Sequence, residues 1–178
     1  MVKNKDKRIV SIANIETDLG LMIAGATDEG VCMFEFADYK LIDLELRQLG
    51  EHFKASLVSG ENLHFDTLRK QINEYFDGRR REFDIPLDLV GTEFQKTVWL
   101  SLLNVPYGCT TNYGKQAEMI GKSSSVRAVA NANGKNKISI ILPCHRVVGI
   151  NGSLTGYGGG LWRKKKLLEL EQANISQK

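Results

Sequence analysis

The 178-residue sequence has no apolar run approaching the ~20 residues that would cross a bilayer. Its opening, MVKNKDKRIVSIANIETDLGLMIAGA, is basic at first but has no long apolar centre, and Glu16 and Asp18 interrupt it. The expectation is a cytoplasmic protein without a secretory leader and without membrane contact. Cysteine is scarce. Three residues, an odd number at wide spacing, exclude a disulfide framework. Cysteines and histidines form no C-x-x-C-type pairs, so no metal site is expected, and nothing calls for a cofactor. Low-complexity tracts are missing too. What is left is an ordinary globular composition, 42% apolar and 25% charged, long enough for one large domain or two small ones.

The net charge of +3 hides an asymmetry. Residues 1–90 hold 12 basic and 17 acidic side chains; residues 91–178 hold 12 and 4. The second half is therefore suited to a polyanion and the first is not. A single basic run, such as Arg163 to Lys166, reads more simply as a solvated helix face.

The pattern along the chain changes at the same place. Arg8–Glu16, Leu19–Thr27 and Gly30–Asp38 are short, β-branched and aromatic, and predict an antiparallel meander with a hairpin loop at Asp28, Glu29 and Gly30. Leu41, Leu44, Leu49 and Phe53 predict a helix. Leu68, Ile72, Tyr75 and Phe76 predict a second, with Asp66 as N-cap. Arg81–Leu89 reads as extended, with Pro86 at a sheet edge or exit. From Gly91 the chain turns helical. Thr92 and Gln95 form a capping box, and Phe94, Val98, Trp99, Leu102 and Leu103 lie on one face. Asn112–Gly121 and Ser123–Gly134 are two short helices, each closed by glycine. Val126, Val129 and Ala130 should form the buried face of the second, with Arg127 and Asn131 on another face. Helix, turn and small-residue helix make a helix-turn-helix pattern, a weak signal alone. A last helix runs from Leu161 to about Ala173, with Leu167, Leu168 and Leu170 inward.

Chemistry concentrates in ISIILPCHRVVGINGSLTGYGGG, residues 138–160. Most cysteines act as small buried hydrophobes, the reading that suits Cys32 and Cys109. Cys144 differs. Pro143 stiffens its approach, His145 can take its proton directly or through a water, and His145 and Arg146 supply positive potential. Zinc is disfavoured by spacing. A cysteine hydrolase would need a distant histidine, but His52 and His64 lie in the acidic half without a signature around them. An alkyl transferase in which the sulfur attacks carbon remains, beside a helix-turn-helix protein that binds DNA without chemistry.

ILPCHRVV resembles the active-site signature of the O6-alkylguanine-DNA alkyltransferases. GTEFQKTVW, YGCTTNYGKQAEMIG, VRAVANANGKN, GSLTGYGGG and KKKLLELE fall in that family's order and spacing, over residues 91–171, and YFDGRRREFDIPL is similar to its linker-proximal segment. The resemblance implies an RNase H-like α/β domain over residues 1–90, an antiparallel meander plus helices. A mostly α winged-helix or helix-turn-helix DNA-binding and alkyltransferase domain follows over 91–178. It implies that Cys144 is the nucleophile, that His145 relays its proton through a water, and that Glu171 orients the imidazole. Asn136 would hold the turn between recognition helix and active-site strand. Tyr113 would press on the phosphate beside the lesion, help rotate the nucleotide out and donate to the leaving guanine. Arg127 would fill the vacated stack, while Tyr157, Gly156 and Gly158 line the base pocket. The partner implied is double-stranded DNA containing alkylated guanine, chiefly O6-methylguanine, met by a monomer that acts once, since nothing in the chain cleaves a thioether. Family members commonly carry proline after the asparagine. Lys137 stands here, predicting a less rigid turn and a charge available to phosphate. The regulatory module and zinc ligands of some members are not evident, so a bacterial-type, non-regulatory member is expected.

Overall fold

The computed structural model describes residues 9–175. The first residue of the expected meander and the opening eight residues read for a leader lie outside it. Three strands form as the β-branched pattern predicts: β1 (Ile9–Thr17), β2 (Gly20–Ala26) and β3 (Val31–Phe36), paired antiparallel in sequence order. The β1–β2 turn closes on Gly20, at φ +116°, a conformation that L side chains rarely adopt. Helix α1 (Ile42–Phe53) then crosses back to a fourth strand, β4 (Ser56–Ser59), which lies parallel to β1. The sheet order is β3-β2-β1-β4, so the meander is extended into a mixed sheet. Four residues, SLVS, carry too little periodicity to announce β4.

Strand β3 is at the edge of this sheet, yet all six of its residues are buried. An uncovered edge invites pairing with other chains. Two segments cover it. Val31 N–H donates to the Pro86 carbonyl at 2.8 Å, and Asp88 N–H donates back to Val31 at 2.9 Å. Further along, Phe34 N–H donates to the Lys137 carbonyl and Ser139 N–H to that of Phe34, both at 2.8 Å. The Arg81–Leu89 stretch thus makes one bridge, Val31 to Leu87, rather than a strand.

Helix α2 (Phe65–Phe76) buries Phe65, Leu68, Ile72 and Tyr75. His64 occupies its N-cap position; Asp66, the expected cap, lies in the first turn, where its charge faces the helix dipole. Helix α3 (Glu93–Ser101) begins at the predicted capping box, with Gln95 N–H donating to Thr92 Oγ1 and Thr92 N–H to Gln95 Oε1. A 3-10 turn at Leu102–Asn104 rotates the end of the apolar face outward, leaving Leu103 54% exposed. After β5 (Thr111–Asn112), α4 (Tyr113–Met119) is capped by the Asn112 side chain. Ser123–Ser125 form a 3-10 turn instead of a side-chain cap, and α5 (Val126–Asn133) follows. That turn sets the phase of α5. Val126 is exposed, and the buried face is Val129, Ala132 and Asn133. Asn133 Nδ2 donates to Gln116 Oε1 at 2.6 Å, and Trp99 Nε1 to the Ala132 carbonyl at 2.7 Å, fixing α5 against α4 and α3. Strand β6 (Val147–Val148) pairs parallel with β5, and α6 (Leu161–Ile175) closes the fold.

One apolar core runs through both halves. Phe34, Phe36 and Tyr75 meet Val98, Trp99, Leu102, Ile138, Leu142 and Leu167 in a single cluster. Each such burial contributes about 1.5–3 kcal/mol, so the halves stabilise one another. Two residues of the basic run depart from expectation. Arg163 and Lys164 are buried, while Lys165 and Lys166 are solvated.

Candidate active site

The segment from Asn136 to Val148 carries the chemistry. Ile138–Leu142, a largely apolar run where the family resemblance implies an active-site strand, makes one bridge to Phe34 and otherwise runs as turns. Ile140 sits at φ +73°, a costly conformation for a β-branched side chain, of order 1–3 kcal/mol. Its burial, with that of Ile141 and Leu142, holds it there. Pro143 leads into a 3-10 turn, Cys144–Arg146, so successive side chains leave the backbone in different directions.

Asn136 is buried and saturated. Its Oδ1 accepts from Ile138 N–H at 3.0 Å, and its Nδ2 donates to the Leu142 carbonyl at 2.9 Å and to Cys144 Sγ at 3.3 Å. It therefore closes the turn after α5 and touches the sulfur itself. Lys137 does not reach outward. Its Nζ is 3.5 Å from Glu45 and 3.4 Å from Gln48, both on α1, so the charge that stands in place of the usual proline ties the turn to the sheet domain. The expectation of a charge free for phosphate is corrected.

Glu171 shows the largest departure from ordinary helix-end behaviour. It is 0% exposed and accepts from five donors: Tyr75 Oη, Gly108 N–H, His145 Nε2, and Nε and Nη2 of Arg146. Burial alone would raise its pKa; the hydrogen bonds and charges of His145 and Arg146 outweigh that and hold it at about 2. An ionised Glu171 requires the proton of His145 on Nε2, leaving Nδ1 as an acceptor. Nδ1 is buried with no hydrogen-bond partner among the described residues. Burial pushes the imidazole pKa down, against the pull of the Glu171 hydrogen bond and charge.

Burial lifts Cys144 to about 11, with Glu35 adding to the rise and Asn136 and Lys164 opposing it. The expected potential from Arg146 is spent on Glu171, with its Nη1 on the Val105 carbonyl. The nearby positive charge is instead Lys164, whose Nζ donates to the Val147 and Thr155 carbonyls at 2.6 Å each. It ties β6 to the residue that leads into the glycine-rich loop, residues 156–160.

That loop brings Tyr157 beside Cys144, with its hydroxyl buried near Ser139 and Glu35. Gly156, at φ +48°, lies against Tyr113: a β-carbon there would be 3.5 Å from the phenol oxygen. Gly158 faces Tyr39 and Glu35. Arg127 and Asn131 are exposed together on α5, away from the buried cluster. Cys144, His145, Glu171, Asn136 and Tyr157 are thus gathered, Tyr113 borders them, and Arg127 stands outside. Tyr75, Lys164, Ser139 and Glu35 were not foreseen. Lys164 was concealed in a basic run, and the others carry no local motif. Cys32 is buried in β3 as expected, with its thiol pushed up to about 12 by burial, but Cys109 is exposed. A cleft of about 720 Å³, lined in part by Leu44, Glu45, Gln95, Trp99 and Lys135, does not include Cys144. Among the described residues no cluster of side chains suits a metal ion, and no helix is long and apolar enough to cross a membrane.

Comparison with known proteins adds to this geometry. Residues 11–89 match the ribonuclease-like domain of 6-O-methylguanine DNA methyltransferase, and residues 93–173 match its DNA binding domain. The chain is 57% identical over 103 residues to the methylated-DNA–protein-cysteine methyltransferase of Mycobacterium tuberculosis, covering 58% of this chain and 62% of that protein, less than two thirds of its length. It is 42% identical over 127 residues to the inducible methylated-DNA–protein-cysteine methyltransferase of Bacillus subtilis, 71% of each chain. The crystal structure of Mycobacterium tuberculosis OGT in complex with DNA is similar with a TM-score of 0.79 and 37% identity, covering 93% of this chain and 94% of that one.

Proposed function

The chain belongs to the methylated-DNA–protein-cysteine methyltransferase family, and from that premise we propose that it repairs O6-alkylguanine, chiefly O6-methylguanine, by moving the alkyl group onto its own Cys144. The observation that carries the reading is the Glu171–His145 pair, which leaves a buried Nδ1 without a partner among the described residues, on the residue that follows a sulfur held by Asn136.

The lesion's carbon lies on a stacked base, and a sulfur in a walled pocket reaches it only after the nucleotide leaves the stack. Arg127, exposed on α5, fills the gap. Tyr113 presses the adjacent phosphate, and Tyr157 with Gly156 and Gly158 lines the pocket. The thiol proton passes through a water to His145 Nδ1, and Glu171 stabilises the imidazolium. Sγ attacks the alkyl carbon. The S–C bond forms, the C–O6 bond breaks, and its electron pair stays on guanine. A proton donated by Tyr113 neutralises that anion, and the imidazolium proton returns to the phenolate. Sulfur ends as a thioether and the base as guanine, so each molecule acts once, without metal or cofactor.

The same reading takes residues 1–90 as the ribonuclease-like unit and 91–178 as the DNA-binding and transfer unit, acting as a cytoplasmic monomer on double-stranded DNA. Incubation with duplex DNA bearing O6-methylguanine should add one methylene's mass to the Cys144 peptide, in a burst of one equivalent. An unmodified thiol, or continued turnover, overturns the reading.

A further inference from the structure

Glu35 lies on β3, outside every motif that carries the resemblance, yet its carboxylate lies against the Cys144 segment. It is 2% exposed. Its Oε1 accepts from the N–H of Phe36 and its Oε2 from Ser139 Oγ, each at 2.7 Å. Ser139 is part of the segment that leads into Cys144. A β-carbon on Gly158 would lie 3.8 Å from the same Oε2, so the carboxylate also sits beneath the base-pocket loop. It is therefore wedged where strand β3, the nucleophile segment and the loop converge.

No cation forms an ion pair with Glu35 among the described residues. The nearby cations are committed elsewhere, Arg163 to Asp38 at 2.7 Å and Lys137 to Glu45. A buried carboxylate without a counter-ion is costly, and such groups persist where they serve a site. The titratable and charged groups around it are Cys144 on the 3-10 turn, Tyr157 on the loop, Tyr39 after β3, Glu45 on α1 and Arg163 on α6. Its negative charge opposes ionisation of both Cys144 and Tyr157.

We propose that Glu35 is a positioning residue of the transfer reaction: it ties the nucleophile segment to β3 beneath the base-pocket loop, and its charge reinforces burial in keeping the sulfur as the thiol. This rests on the alkyl-transfer reading, which explains the use. A thiol consumed by one event loses the whole molecule if it reacts with anything but its substrate. Burial places Glu35 itself at about 7, against the opposing hydrogen bonds from Phe36 and Ser139, so its charge is present on the alkaline side, where a thiol would otherwise ionise.

The test needs no DNA. Iodoacetamide modification of Cys144, read on its own peptide across pH, is compared in the full chain, in Glu35→Gln and in Glu35→Asp, with exposed Cys109 as internal control. Glu35→Gln should lower the Cys144 midpoint by about one pH unit, a tenfold change in thiolate fraction. Glu35→Asp should restore it, and Cys109 should not move. An unchanged midpoint in Glu35→Gln, or an equal fall in Glu35→Asp, overturns the proposal. Ser139→Ala keeps the charge and cuts the tether. It should slow methyl transfer several-fold with DNA affinity intact, and an unaltered rate removes the positioning role. Wild-type protein that transfers no methyl group sinks the function reading alone, because the iodoacetamide profile still judges Glu35.

Discussion

Glu171 Oε1 accepts a hydrogen bond from His145 Nε2 at 2.8 Å, across 26 positions of sequence, with both side chains wholly buried. This contact decides the tautomer of the imidazole, and through it which nitrogen can receive a proton. The same carboxylate neutralises Arg146 and takes the hydroxyl of Tyr75 from α2. One residue thus joins the Cys144–Arg146 turn, the last helix and the ribonuclease-like half.

Glu171→Gln leaves Arg146 without its buried counter-ion, a change that costs about 3–5 kcal/mol. Thermal or denaturant unfolding should register that loss, and single-turnover transfer should slow as well. The wild-type carboxyl is held at about 2, below its ordinary 4.5. Its contribution is therefore present above pH 4.5 and lost as pH falls towards 2. The gap in stability between wild type and Glu171→Gln should narrow over that interval. A constant gap would contradict the charge assignment.

His145→Ala should reduce the transfer rate by about 10²–10⁴-fold, the range for loss of a general base. DNA affinity should change little, since the ring is buried away from any surface. Equal losses in affinity and rate would instead indicate a packing role.

Glu35 gives a pH signature of the opposite sign. Its carboxyl is raised from 4.5 to about 7, so the stability linked to it is complete below 4.5 and is lost as pH rises through 7. Glu35→Gln has no proton to lose. Its melting temperature relative to wild type should therefore climb between pH 5 and pH 8, and a flat difference would refute the shift.

Arg127→Ala should lower the transfer rate by about 10–100-fold, equivalent to about 1.4–2.7 kcal/mol, while leaving stability untouched because the side chain is solvated. The salt dependence of DNA binding should weaken with it. Binding and transfer equal to wild type would remove Arg127 from the interface.

Gly158 and Gly159 are neighbours with different tolerances. A β-carbon on Gly159 would come within 2.4 Å of the Phe36 ring, whereas one on Gly158 meets Tyr39 and Glu35 at 3.5 and 3.8 Å, ordinary contact. Gly159→Ala should destabilise by about 1–3 kcal/mol through overpacking. Gly158→Ala should fold normally. Similar melting curves for the two variants would contradict this packing.

The sequence was most legible where physics is local. The strands of the meander, the Thr92–Gln95 capping box and the phase of α2 follow from periodicity and capping alone, whereas on α1 the expected face is only half right: Leu49 is buried, but Leu41 and Leu44 are exposed and Glu45 is buried in their place. The Cys144–His145 pair stood out because its neighbours are unusual. What was hidden depends on tertiary placement. Glu171 looks like any solvated helix residue until Arg146, His145 and Tyr75 converge on it. Lys164 shares a run with two exposed lysines, and only its phase on α6 distinguishes it. Ile138–Leu142 is apolar apart from Ser139, yet the turn at Ile140 interrupts pairing after one bridge. Glu35 alternates with apolar neighbours in a strand and would ordinarily face solvent. The Ser139 segment covers it.

The lateral face of β3 is finished by residues 86–88 and 137–139. Scission near residue 90 with removal of the C-terminal piece would strip the second of these away, baring backbone donors and acceptors together with Phe34 and Phe36. The liberated fragment would then seek replacement strands among its own copies and precipitate. Ribonuclease-like and transfer halves are for that reason inseparable in practice: whatever proteolysis or truncation does to one, the other inherits.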